Sequence, residues 1–76
     1  MTENERKLEI AKMERQGWEN NLLLLEMRHR VQKKLDNKEA MTQIEAEMVK
    51  SHLALSELDT IEKEIVAEMK KLPKKT

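Results

Sequence analysis

The side chains in this 76-residue chain with the widest chemical repertoire are His29, His52, Asp59, Glu62 and a group of arginines and lysines between residues 28 and 38. Two histidines on helices bind a metal when they stand at i and i+4 or converge from neighbouring elements. Neither condition is expected here. His52 has Met48 and Ser56 at i−4 and i+4, and His29 is crowded by Arg28, Arg30 and Lys33, which repel a cation. Glu62 stands alone in an apolar series. A single charge there specifies register or faces a local partner more readily than it performs acid–base work. With no cysteine and one glycine, neither a thiolate nucleophile nor a glycine-rich phosphate loop can be built. These residues point to a protein that is not an enzyme and needs no cofactor or metal.

The basic group has two readings. Arg28, Arg30, Lys33, Lys34 and Lys38 against Asp36 give residues 28–38 a net charge of +4. Residues 39–69 carry Glu39, Glu45, Glu47, Glu57, Asp59, Glu62, Glu64 and Glu68 against Lys50 and Lys63, a net of −6. On the first reading the two segments lie side by side, Arg28 and Arg30 face the neighbourhood of Glu45 and Glu47, and solvated ion pairs help set the alignment. On the second, Arg28, Arg30, Lys33 and Lys34 form a basic tip that contacts an anionic partner such as an RNA backbone. The whole chain balances 15 basic against 15 acidic residues, which weighs against recruitment to nucleic acid or membrane by bulk charge.

The elements that carry these residues are expected to be helices. Charged residues make up 39% of the chain, and Glu, Lys, Leu, Ala, Met and Arg dominate. Those types lose little freedom in a helix, while the β-branched and aromatic residues that favour strands are scarce. Thr2 and Glu5 have capping-box spacing, and so do Asp36 and Glu39. Lys33–Lys34 and Lys70–Lys71 suit the negative ends of helices, and Pro73 stops the second. Met41, Ile44, Met48, Ser51, Leu55, Leu58, Glu62, Ile65, Met69 and Leu72 recur by threes and fours, a sustained heptad seam. Run backwards, the same register meets Asn37, Lys34, Arg30, Met27, Leu23 and Asn20, a mostly polar series, so one unbroken rod is not expected.

The pattern predicts a single all-α domain over residues 1–76, an antiparallel two-helix hairpin. Its parts are a helix over about 3–35, a turn over 36–38, a helix over about 39–72 and a basic tail over 73–76. The first helix is less regular. Leu8, Ala11, Trp18, Leu22 and Leu25 form one stripe; Leu24, Met27, Val31 and Leu35 form another, displaced around the helix. Gly17 lies near the changeover, where the helix either continues, bent, or breaks to give three helices.

A hairpin partner covers only one of those stripes, so the other awaits a further chain. Self-association into a helical bundle, or capture of a partner helix, follows as the expectation. Core and interface are assigned to Trp18, Leu22, Leu25, Val31 and Leu35 on the first helix, and to Ile44, Met48, Leu55, Leu58, Ile65 and Met69 on the second. The longest apolar run, Leu22–Leu25, is too short to span a membrane, no membrane insertion is expected, and the cytoplasm is the expected location.

In length and expected architecture the chain is similar to the plasmid copy-number RNA-binding hairpins and to small type III secretion co-chaperones. Those likenesses lie in shape and helix lengths, without a shared motif, and imply RNA binding or chaperoning respectively. Ser56-Glu57-Leu58-Asp59 resembles the Ser-Gln-Glu-Leu-Asp motif of small sporulation phosphatases over four residues, lacking the Gln. That resemblance would make Asp59 functional and the protein a regulator of a signalling phosphoprotein. Read from the heptad, Leu58 is an ordinary seam residue and Asp59 a solvated one.

Overall fold

The computed structural model describes residues Thr2–Lys71. They form two α-helices, α1 (Glu3–Lys34) and α2 (Lys38–Lys71), with no strand among the described residues. Pairings such as Arg15 with Asp59, Asn21 with Ser51 and His29 with Glu45 run in opposite directions along the two helices, which makes the hairpin antiparallel. The expected stop at Pro73, the seam position Leu72 and the basic tail lie outside the described residues.

α1 opens on the expected capping box. Thr2 Oγ1 accepts the Glu5 N–H at 3.1 Å, and Glu5 Oε1 accepts the Thr2 N–H at 2.8 Å. Two of the orphan amides at the helix start are thereby satisfied. α1 then runs unbroken for 32 residues through Gly17, so of the two alternatives there, a continuous helix and a break, the continuous one holds. One glycine costs a helix interior about 1 kcal/mol, less than α1 recovers by packing along α2.

The turn departs from the expected Asp36–Glu39 box. Asp36 adopts φ 56°, in the left-handed region. The Asp36 N–H bonds the Lys33 carbonyl at 3.1 Å and the Asn37 N–H bonds the Gln32 carbonyl at 3.0 Å. This pair of bonds is a Schellman closure with Asp at the position usually given to Gly. Asn37 is the cap of α2, its Oδ1 accepting the Ala40 N–H at 3.1 Å. The connection is therefore Leu35-Asp36-Asn37, one residue earlier than expected. Asp36 ends a helix; it does not begin one.

Between the helices lies a single seam. On α2 the positions from Met41 to Met69 that recur by threes and fours are all buried or half-buried, as the heptad predicts. On α1 the matching positions are Leu8, Ala11, Arg15, Trp18, Leu22, Leu25, His29 and Gln32. Ala11, Leu25 and Ser51 are the most enclosed. The hairpin measures 65 × 17 × 11 Å with a radius of gyration of 17.8 Å, against about 11 Å for a compact domain of this length. It exposes 6471 Å², where a globular monomer of 9.0 kDa exposes about 4900 Å².

Candidate functional site

The inner seam is interrupted by polar side chains, and Arg15, Ser51 and His29 are each met by a polar group from the opposite helix. Arg15, in the α1 seam, places Nη2 3.2 Å from Asp59 Oδ1 and 3.0 Å from Glu62 Oε2 on α2. Only the Asp59 contact is aligned as a hydrogen bond, so Glu62 Oε2 is enclosed beside a charge without a donor pointed at it. Lys63 Nζ lies 3.1 Å from Asp59 Oδ2. Lys63 holds the Asp59 carboxyl below the usual carboxylate range, first by its hydrogen bond and then by its charge. Partial desolvation opposes the shift, and Arg15 adds to it.

Midway along, fully buried Ser51 accepts a hydrogen bond from Asn21 Nδ2 at 3.3 Å and donates to the Glu47 carbonyl at 3.1 Å. Both capacities of the hydroxyl are used, so its burial carries no unsatisfied group. Nearer the turn, His29 Nε2 and Glu45 Oε2 approach to 2.9 Å. The expectation that Arg28 and Arg30 would face Glu45 is thus corrected. His29, four residues after Leu25, occupies the seam, and the two arginines flank it in solvent.

Trp18 and Leu22 are half-buried and Leu25 is buried in this seam, opposite half-buried Ile44, Met48, Leu55, Leu58, Ile65 and Met69. Val31 and Leu35 do not belong to the hairpin core: they are 55% and 67% exposed. They lie with Ile10, Met13, Leu24 and Met27, also exposed, on the back of α1. A simple offset describes this surface. The inner positions 8, 11, 15, 18, 22, 25 and 29, each advanced by two residues, become Ile10, Met13, Gly17, Asn20, Leu24, Met27 and Val31. Two residues turn a helix by about 200°, so the second stripe points away from α2. The same offset on α2 yields Gln43, Ala46, Lys50, Leu53, Glu57, Thr60, Glu64 and Ala67, a mixed polar face. Only α1 is apolar on two opposite sides.

Gly17 sits in the outer stripe, and a Cβ added there would meet nothing within 4 Å. The hairpin itself therefore has no use for its missing side chain. Of the basic group, Arg28, Arg30, Lys33 and Lys34 are all exposed. Arg30, Lys33 and Lys34 edge a shallow groove floored by Met27 and Val31, but Arg28 is not part of it. Arg28 and Arg30 project about 200° apart. Arg30, Lys33 and Lys34 thus share one face of the helix, and Arg28 stands apart from them.

His52 is exposed on α2. Among the described residues no cluster of three or more His, Asp or Glu side chains is arranged to hold a metal ion, and no helix is long and apolar enough to cross a membrane. The polar seam residues Arg15, His29 and Gln32 were missed in the sequence because apolar neighbours drew the stripe elsewhere. Their signal was positional, since each continues the three–four stepping from Leu8. The arrangement defines a hairpin with one inner seam and an apolar stripe on the back of α1; apart from that stripe, Leu23 on α1 and Val49 and Leu53 on α2 are also exposed. Comparison of the chain with protein families, with curated proteins and with solved structures returns no match to any of them.

Proposed function

We propose that this protein is a non-enzymatic helical interaction module, of the adaptor, small-chaperone or assembly type, in which α2 braces α1 and α1 offers its outer face to a helix of another chain. One observation carries the reading. Large apolar side chains recur along the back of α1 at heptad spacing and are left exposed by the hairpin. Singly exposed apolar residues are ordinary on any surface, but here Ile10 with Met13, and Leu24 with Met27 and Val31, share one face on either side of Gly17 and Asn20, and grouped apolar exposure of this kind marks a docking face. Methionines at positions 13 and 27 suit the task, because an unbranched thioether side chain adapts to partner shape.

The basic group supports the module reading better than an RNA-binding one. Arg30, Lys33 and Lys34 edge a groove floored by Met27 and Val31, so they rim an apolar docking face, and the chain as a whole has no net positive charge to recruit nucleic acid. Asp59, already engaged by Lys63 and Arg15, is better placed to hold the hairpin together than to act on a phosphoprotein.

The test compares the wild-type chain with Met27→Glu/Val31→Glu as baits in the source cell. Both positions are exposed, so circular dichroism should report unchanged helicity. Proteins captured by wild type should be lost from the double variant. A captured set identical for the two baits would sink the proposal.

A further inference from the structure

The outer stripe is symmetric in character. Read from Ile10 to Met27 it runs apolar, apolar, Gly17, Asn20, apolar, apolar, with Met13 and Leu24 as the inner apolar pair. Such a stripe is complementary to itself when reversed. Laid antiparallel on a second copy about a two-fold axis between Trp18 and Glu19, it sets Ile10 against Met27 of the other copy and Met13 against Leu24. Gly17 then meets Asn20 on both sides of the axis. The glycine lets the backbones approach there, which explains an absent side chain for which the hairpin has no use. The asparagine, a polar group at a seam position, penalises slipped registers.

Charge selects the same orientation. Toward one end of α1, Glu3, Glu5 and Glu9 are balanced by Arg6, Lys7 and Lys12, while Arg28, Arg30, Lys33 and Lys34 lie toward the other. In the antiparallel register Glu9 comes level with Arg28 of the other copy and Glu3 with Lys34, against one like-charged pair, Lys7 with Arg30, and Arg6 comes level with Val31. A parallel pairing would instead stack the basic ends on each other. Area agrees as well. The hairpin exposes 6471 Å², roughly 1600 Å² more than a globular chain of its mass, and a standard interface covers about 800 Å² of each partner.

We infer that the occupant of α1's outer face is a second copy of this chain, paired antiparallel through Ile10, Met13, Gly17, Asn20, Leu24 and Met27. Because the outer stripe lies opposite the inner seam, the four helices form a row, α2–α1–α1–α2, and not a square bundle. This rests on the interaction-module reading and specifies its partner.

The experiment uses the full chain, which contains no cysteine. Light scattering on the purified protein should give twice the chain mass, and Met27→Glu should weaken self-association at least tenfold while helicity stays unchanged. Met13→Cys/Leu24→Cys should oxidise to a covalent dimer, whereas neither single variant should. Within one chain those positions are about 16 Å apart along the helix, too far for a disulfide. Single variants that cross-link as readily as the double would mean parallel pairing and overturn the inference. So would a folded wild-type monomer at all concentrations, or a dimer indifferent to Met27→Glu. If the inference fails in any of these ways while Met27→Glu/Val31→Glu still loses its captured proteins in the cell, the module reading stands with a different partner.

Discussion

Asp36 carries the only left-handed backbone among the non-glycine residues described, at φ 56°. An L-residue pays roughly 1–2 kcal/mol for that conformation, and a carboxylate near a helix C-terminus is unfavourable to the dipole. Asp36→Gly is expected to raise stability by about 1 kcal/mol, allowing for glycine's greater freedom when unfolded, and Asp36→Asn by less. Urea denaturation checks both, and a destabilised Asp36→Gly would contradict the assignment of the turn. The Arg15 cluster makes a different prediction. Arg15→Met leaves the mostly buried Glu62 carboxylate without its counter-charge and should cost about 1–3 kcal/mol. Adding Glu62→Leu should recover most of that loss, because an apolar pair fits the seam as well as an ionic one. Asp59 titrates below its ordinary value, chiefly because of Lys63. Its contribution to stability is therefore complete above the unfolded pKa of about 4 and is lost as pH falls through the lower folded value. Lys63→Met should move the Asp59 titration, followed by carboxyl NMR, back up toward the ordinary value, and further than Arg15→Met does.

At the scale of the helices, α2 was legible in the sequence almost residue by residue, and α1 only in part. The difference is physical. α2 has one apolar face, so the three–four recurrence has a single solution even across Ser51 and Glu62. α1 has two, and its inner face is interrupted by Arg15, His29 and Gln32, so the apolar residues taken alone lead from Leu25 to Val31 and Leu35 on the wrong side. What those polar residues do across the seam depends on which α2 residue arrives opposite, and that is decided by the turn. The turn itself was placed within a residue, but Asp36 and Asn37 are both competent helix-terminus residues, and only the Schellman bonds assign their roles. The two faces of α1 should separate cleanly on mutation. Leu25→Ala, at a site 5% exposed, is expected to cost about 2–5 kcal/mol and to abolish much of the helicity. Val31→Ala should change the stability of an isolated hairpin by no more than about 0.5 kcal/mol. Thermal melts of dilute protein by circular dichroism would compare them, and equal losses would mean that the faces are misassigned.

For the molecule as a whole, a rod 65 Å long with three buried residues among those described has little interior to stabilise it. Small chains of this kind commonly draw the remainder from association. Anything that binds the folded hairpin and not the unfolded chain raises its melting temperature by mass action. The midpoint should accordingly climb as protein concentration is raised, and Met27→Glu should flatten that dependence. A midpoint independent of concentration in the wild type would show that the hairpin is sufficient by itself.

The two-residue offset on α1 also bears on how freely each helix can vary. A heptad with one seam commits two positions in seven and leaves five to drift, subject only to solubility and helix propensity. A second seam on the opposite side commits two more. Saturation mutagenesis scored for assembly should therefore find α1 intolerant at positions such as Met13 and Leu24, where the folded hairpin alone imposes no penalty. The equivalent positions on the back of α2, such as Lys50 and Glu57, should accept almost any residue but proline.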